Sequence, residues 1–141
     1  MPLTDYSDLE KRIKSTPEPK TLKRGEEVKV RIVNIREGIS DKNSAQWYQP
    51  VYDVPSNPMV VEFTDFFWDL ADFEKLDPKQ AERSFYQFKT FAEAFKLNYS
   101  KPFNWEDLIG KEAWVIVGTQ KDEEYGLNGI KNTVTKYVAG K

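Results

Sequence analysis

One long helical pattern interrupts a chain whose other patterns are typical of strands. Asp77 is a good helix N-cap, Pro78 fits the first helical position, and Gln80 stands three residues after the cap. The apolar residues that follow recur at helical spacing on one narrow stripe: Ala81, Phe85, Phe88, Ala92 and Phe95. The pattern therefore predicts a single amphipathic helix whose stripe packs in the core.

Strand patterns lie on both sides of this helix. Val28, Val30 and Ile32 alternate with polar residues, whereas Val33 and Ile35 break the alternation, which indicates a bulge or burial on both faces. The predicted strands cover residues 27–36, 45–52, 59–68, 112–117 and 128–138. Three strands, a helix and two strands follow one another in the order of the OB-fold. We therefore predict a mainly β protein, a five-stranded OB-type barrel with its helix between strands 3 and 4. The same order also fits an open α+β sheet.

The first nineteen residues are predicted to form an N-terminal appendage, and residues 20–141 the OB-fold domain. Pro17 and Pro19 disfavour helix and sheet between the two parts. Before them, Ser7 and Glu10 have the spacing of a capping box, which predicts a short helix.

The composition argues against most kinds of catalysis. The chain has no cysteine and no histidine, so it lacks thiolate ligands, the commonest metal ligand and the commonest general base. No glycine pattern of a phosphate-binding loop occurs. We predict a protein without enzymatic activity or cofactor. The alternative is a magnesium-dependent nuclease, which would have to use the carboxylates of Glu62, Asp65, Asp69 and Asp72.

No membrane association is expected, since no apolar run approaches the roughly 20 residues that span a bilayer. The beginning of the sequence is acidic and lacks a secretory pattern, which predicts a cytoplasmic location.

Charge is unevenly distributed although the net charge is only −2. Residues 20–36 contain six basic and two acidic side chains, and residues 127–141 contain three lysines and no acid. Residues 53–77 contain seven acids and one lysine. The distribution predicts one basic and one acidic face.

Seven aromatic residues within the second and third predicted strands exceed what one inward face requires. Single-stranded nucleic acid is bound by aromatic rings that stack on bases, inside a groove whose cations contact phosphates. The predicted stacking residues are Trp47, Tyr48 and Tyr52. The predicted phosphate contacts are Lys29, Arg31, Arg36, Lys42, Lys131 and Lys136.

The C-terminal half resembles a known family. The sequence Trp105-Glu-Asp-Leu-Ile-Gly-Lys111, a hydrophobic strand, and Asp122-Glu-Glu-Tyr-Gly126 followed by Asn128 and Ile130 are similar to bacteriophage OB-type single-stranded DNA-binding proteins and their uncharacterised relatives. This resemblance implies an OB barrel, binding of single-stranded DNA, and a role in phage DNA replication or recombination beside a recombinase or polymerase in the host cytoplasm.

The sequence thus predicts a sequence-nonspecific single-stranded DNA-binding protein. The alternative is a protein-interaction module, such as a phage accessory protein or inhibitor, whose acidic segment 62–77 contacts a host protein. The choice between DNA and RNA and the oligomeric state stay open at this point, with a homodimer as one option.

Overall fold

A computed structural model describes residues 2–141 as a mainly β structure, an open antiparallel sheet of six strands with a few helices. The strands are β1 (Glu27–Ile39), β2 (Gln46–Asp53), β3 (Phe63–Thr64), β4 (Phe67–Trp68), β5 (Glu112–Lys121) and β6 (Ile130–Val138). The helices are α1 (Glu10–Ser15) and α2 (Pro78–Phe95), with 3-10 turns at Ser7–Leu9, Leu70–Lys75 and Trp105–Leu108. The strand order is β3-β2-β1-β5-β6, and β4 also pairs with β2.

A bulge at Val33 divides β1 into two halves. The register with β2 shifts between Ile32 and Asn34, so that Ile32 lies opposite Tyr52 and Ile35 opposite Pro50. Val30 and Ile32 are fully buried. The broken alternation in the sequence is thereby explained, because the extra residue returns Ile35 to the inner face.

The predicted strand 59–68 is wrong as a continuous element. It is replaced by two-residue strands, β3 and β4, that pair with different parts of β2, so the sheet has six strands and α2 follows the fourth. Between them the amide of Phe66 donates to Asp65 Oδ1 at 2.8 Å. This local hydrogen bond competes with the sheet ladder and interrupts the strand.

Helix α2 begins as predicted. The Asp77 side chain accepts from the Gln80 amide, and Pro78 is the first helical residue. The core-facing stripe is rotated, however, since Phe91 is fully buried while Phe85 is 45 % exposed. The prediction that Phe85 packs in the core is therefore wrong.

The core lies between the inner face of the sheet and α2, and it is rich in aromatic rings. Tyr52 stacks on Phe95 with centroids 6.1 Å apart, and Phe91 stacks on Trp105 at 5.5 Å. Asn104 caps the turn that carries Trp105, since its side chain accepts a hydrogen bond from the Glu106 amide.

The short helical region at the N-terminus is not capped as predicted. Tyr6 occupies the N-cap without a side-chain hydrogen bond, and the Ser7 amide donates to Asp5 Oδ1 at 2.9 Å. Glu10 instead pairs with Lys14 at 2.6 Å. No residue of this region is buried.

Residues 20–22, here called the latch segment, attach the N-terminal part of the chain to both ends of the sheet. Lys20 forms a parallel bridge with Val60, shortly before β3. Asn132 of β6 accepts from the Leu22 amide at 2.8 Å and donates to the Leu22 carbonyl at 3.0 Å and the Gly118 carbonyl at 3.1 Å. Through these two contacts the latch segment connects β6 to the residues that precede β3.

Strands β5 and β6 form a hairpin that extends further than predicted. β5 continues to Lys121, beyond the predicted end at residue 117. The register shifts between Ile116 and Val117, which leaves Thr135 unpaired and turns Tyr137 into the core. Among residues 2–141, no helix has the length and apolar character needed to cross a lipid bilayer.

Candidate nucleic-acid interface

The outer face of the sheet is defined by the strand register. Tyr52 and Ile32 are opposite each other and fully buried, so Tyr52 belongs to the inner face of β2. Since side chains alternate along a strand, the odd-numbered residues of β2 lie on the outer face. Trp47 and Gln49 therefore lie on the outer face, opposite Gly38 and Arg36 of β1.

Three aromatic rings, Trp47, Phe66 and Trp68, form the aromatic cluster on this face. Trp47 lies opposite Trp68 in the register, and its ring centroid is 5.6 Å from that of Phe66. Phe66 meets Trp68 edge-on at 4.9 Å. Phe66 is 38 % exposed, and both tryptophans are half-buried. The rings thus hold each other in place while their outer edges and faces remain accessible.

Gly38 allows the Trp47 ring to lie against β1. A Cβ at this position would come within 2.8 Å of Trp47 Cε2. Any larger residue would push the ring outward, so the orientation of Trp47 depends on a glycine at position 38 of the adjacent strand.

Tyr52 is wrongly predicted as a stacking residue. Its side chain is fully buried, and its hydroxyl is 2.7 Å from the Tyr137 hydroxyl. Tyr48 also points inward, where it stacks on Trp105 at 4.8 Å and donates to Asp69 Oδ2 at 3.4 Å. Its inner ring face is occupied, so Tyr48 is not available as the predicted free platform. The rings that stand beside Trp47 on the outer face are Phe66 and Trp68.

Lys29 and Arg31 share the outer face but are engaged by acids. Lys29 Nζ is 3.6 Å from Glu112, and Arg31 donates to Asp53 Oδ2 at 2.7 Å. The hydrogen bond and the charge of Asp53 raise the pKa of Arg31 above its ordinary value. Asp53 Oδ1 is buried without a hydrogen-bond partner among residues 2–141, so removing Arg31 would leave this carboxylate poorly solvated.

Arg36 and Lys42 are exposed and form no ion pair within the part of the chain described. Arg36 lies opposite Gln49, one outward position from Trp47. Lys42 lies in the turn that joins β1 to β2. Arg36 is close to the aromatic cluster in strand register, and Lys42 is close to Trp47 in sequence.

Lys131 and Lys136 lie on β6, which β5 and β1 separate from β2 along the sheet. Lys131 is 3.9 Å from Asp122, and Lys136 is exposed beside a groove between β6 and α2. Strand pairing therefore does not bring these two predicted phosphate contacts to the aromatic cluster.

Most acids of residues 53–77 have internal partners. Asp69 accepts from the Ala71 amide at 2.9 Å, Asp72 accepts from the Gln46 amide at 2.8 Å, and Asp77 caps α2. Asp53 binds Arg31, and Asp65 binds Tyr137. The acidic segment is therefore largely used to hold loops and strands in place. No group of three or more acidic side chains within residues 2–141 is arranged to hold a metal ion.

A buried chain of hydroxyls connects β2, β6 and the β3–β4 connection. Tyr137 donates to Asp65 Oδ2 at 2.6 Å, so the hydrogen bond between the two phenols has Tyr52 as donor. Burial raises the pKa of both tyrosines well above the ordinary value, and it also raises the pKa of Asp65. No sequence pattern indicates this contact, because Asp65 lies within the segment predicted to be a regular strand.

The sequence matches no protein-family model, and no curated protein is significantly similar to it. The resemblance to phage single-stranded DNA-binding proteins accordingly stays a prediction.

Proposed function

We propose that this chain is an OB-type barrel that binds single-stranded DNA without sequence specificity on its outer face. The observation that carries the proposal is the half-exposed aromatic cluster beside Arg36. In OB-folds, ligands lie on strands 2 and 3 and on the loops that flank them. Trp47, Phe66 and Trp68 belong to the corresponding elements.

Closure of the barrel is supported by two contacts between the ends of the sheet. Tyr137 of β6 binds Asp65 next to β3, and the latch segment binds both Asn132 and the residues before β3. In the proposed barrel, β3 and β4 together form the third strand, which the helix follows as in the OB-fold.

Base stacking and phosphate contacts make separate contributions. A base stacked on an aromatic side chain contributes about 1–3 kcal/mol. Arg36 and Lys42 are proposed as the principal phosphate contacts, and Lys29 as a further one because its exposed ion pair with Glu112 is weak. Arg31 and Lys131 are secondary because both are paired with acids. Lys136 is secondary because it lines the groove between β6 and α2.

Binding to a fluorescent oligo-dT of about thirty nucleotides, long enough for more than one OB-fold site, is the test. Anisotropy is measured across a salt series, with duplex DNA of the same length as the control. We expect binding to the single strand that weakens with salt and is much weaker for the duplex.

Two pairs of variants separate the contributions. Phe66→Ala should reduce affinity at every salt concentration, whereas Tyr86→Ala, which removes an exposed ring on α2, should not. Arg36→Gln should reduce the salt slope by about one phosphate contact, whereas Arg83→Gln, the same change on α2, should not. Equal effects within either pair would contradict the proposed face.

We further propose that this activity serves phage DNA replication or recombination in the host cytoplasm, beside a recombinase or polymerase. The resemblance of residues 105–130 to the phage family supports this role. Absence of any binding to single-stranded DNA at low salt would favour the alternative, a protein-interaction module. Its acidic segment 62–77 is a weaker candidate surface, because four of its six carboxylates have internal partners.

A further inference from the structure

Phe66, the most exposed ring of the aromatic cluster, has a backbone that is held by side chains instead of by the sheet. Its amide donates to Asp65 Oδ1 at 2.8 Å, and its carbonyl accepts from Gln87 Nε2 at 2.9 Å. Gln87 belongs to α2, 21 residues further along the chain. The aromatic cluster on the outer face is therefore attached to the helix that packs against the inner face of the sheet.

Pro50 of β2 explains why the sheet does not hold this part of the chain. The Asp65 amide donates to the Pro50 carbonyl at 3.3 Å, but proline has no amide hydrogen with which to return the bond. The flanking strands β3 and β4 have only two residues each. Since the ladder lacks a bond next to Phe66, the position of its backbone depends on side-chain contacts.

The amide group of Gln87 binds two acceptors at once. Its Nε2 lies 3.3 Å from Asp65 Oδ1, in addition to its bond with the Phe66 carbonyl. The two hydrogens of an amide nitrogen are sufficient for both partners. Tyr137 donates to the other oxygen of Asp65 at 2.6 Å. The carboxylate is thus fixed by α2 and by β6, and it fixes the Phe66 amide in turn.

Packing does not replace these hydrogen bonds. A groove of about 460 Å³ lies between β6 and α2, and both Asp65 and Gln87 line it. On the outer face the Phe66 ring packs on Trp47 and Trp68, which are themselves half-buried. Without the Gln87 bonds, the open groove leaves the connection between β3 and β4 free to shift, and the ring moves with its backbone.

We propose that Gln87 is a positioning residue that holds Phe66 in place on the outer face, so that stacking of a base on this ring depends on a side chain of α2. The consequence for stacking rests on the proposed binding of single-stranded DNA. A ring that is already held in its bound position loses less conformational freedom when a ligand arrives, and affinity increases accordingly.

The substitution Gln87→Met tests this role, because methionine keeps the length of the side chain and removes its donors. Gln80→Met, the same change at an exposed residue in the first turn of α2, is the matched control. We expect Gln87→Met to weaken binding of oligo-dT by about threefold or more, and Gln80→Met to bind as the wild type does. The salt slope should stay unchanged in both, since neither change removes a phosphate contact.

A double-mutant cycle separates positioning from a general effect on the fold. In a Phe66→Ala background, Gln87→Met should cause no further loss of affinity, because the ring that it positions is gone. An equal loss with and without Phe66 would overturn the proposal, since Gln87 would then act through the stability of the whole domain.

Near-ultraviolet circular dichroism gives a readout that needs no DNA. The Phe66 ring meets Trp68 at 4.9 Å, so Gln87→Met should change the tryptophan signal and Gln80→Met should not. If the wild type does not bind oligo-dT, the proposed function fails, whereas a changed spectrum in Gln87→Met still supports the positioning of Phe66. An unchanged spectrum in Gln87→Met would overturn it.

Discussion

Replacing Asn132 by alanine tests the latch segment most directly. The side chain is 2 % exposed and forms three hydrogen bonds with backbone groups of Leu22 and Gly118, at 2.8, 3.0 and 3.1 Å. Each such bond contributes about 1 kcal/mol net, and a buried group left without a partner costs about 1–3 kcal/mol. The loss of three such bonds sums to about 3 kcal/mol, so we expect Asn132→Ala to lower the free energy of unfolding by about 3 kcal/mol or more.

Urea unfolding at 25 °C measures this loss. With a slope of about 2 kcal/mol per molar urea, the midpoint should fall by about 1.5 M. Limited trypsin digestion provides a local readout, since Lys20, Lys23 and Arg24 lie in or next to the latch segment. We expect faster cleavage there in the variant, before the domain as a whole is degraded.

Two further asparagine substitutions provide a second test of these hydrogen bonds and a control. Asn132→Asp keeps the acceptor for the Leu22 amide but places a carboxylate oxygen against two carbonyls, so it should destabilise at least as much as alanine at neutral pH. Asn98→Ala is the control, because this exposed side chain bonds only within its own loop. A loss below about 1 kcal/mol in Asn132→Ala, with unchanged trypsin cleavage at the latch segment, would refute the reasoning, because loss of even one such bond should cost that much.

Three other predictions concern single side chains. The pKa of Asp65 is raised by burial in the folded state, so its contribution to stability is present at low pH and is lost as the pH rises through the folded pKa. As the pH rises above the ordinary pKa of an aspartate, about 4, the wild type should lose stability relative to Asp65→Asn, and parallel pH profiles in urea unfolding would contradict this. Gly38→Ala should displace the Trp47 ring, costing about 1 kcal/mol or more, with a change in near-ultraviolet circular dichroism; an unchanged spectrum would show that the ring does not depend on the glycine. Asp77→Ala should cost about 1 kcal/mol through loss of the α2 N-cap, measured by thermal unfolding, and an unchanged Tm would argue against the cap.

Local sequence chemistry was sufficient where a structure depends on near neighbours. The cap at Asp77 and the irregularity of β1 near Val33 could be predicted, since each depends on a few adjacent residues. Long-range register was not accessible in this way. Arg36 shares the outer face with Lys29 and Arg31 only because the bulge at Val33 changes which positions point outward.

The wrong choice of tyrosines has a similar origin. Alternation in β2 places Trp47 on one face and Tyr48 and Tyr52 on the other, but it does not tell which face is inside, because both faces are aromatic. Which face of β2 is buried depends on contacts with residues that are distant in sequence. Tyr52 is buried at little cost because its hydroxyl donates to Tyr137, whose own inward direction depends on the bulge at Thr135.

The placement of the four tryptophans allows binding and unfolding to be followed by intrinsic fluorescence. Trp105 is 8 % exposed inside the core, whereas Trp47, Trp68 and Trp114 are half-buried on the outer face. Emission from Trp105 follows the integrity of the core, and emission from Trp47 and Trp114 follows what touches the outer face. Trp68 also packs against the buried residues Leu76 and Ala81, so it responds to both. A bound strand should quench the outer indoles without the red shift that accompanies unfolding, so occupancy and stability can be followed in one unlabelled sample.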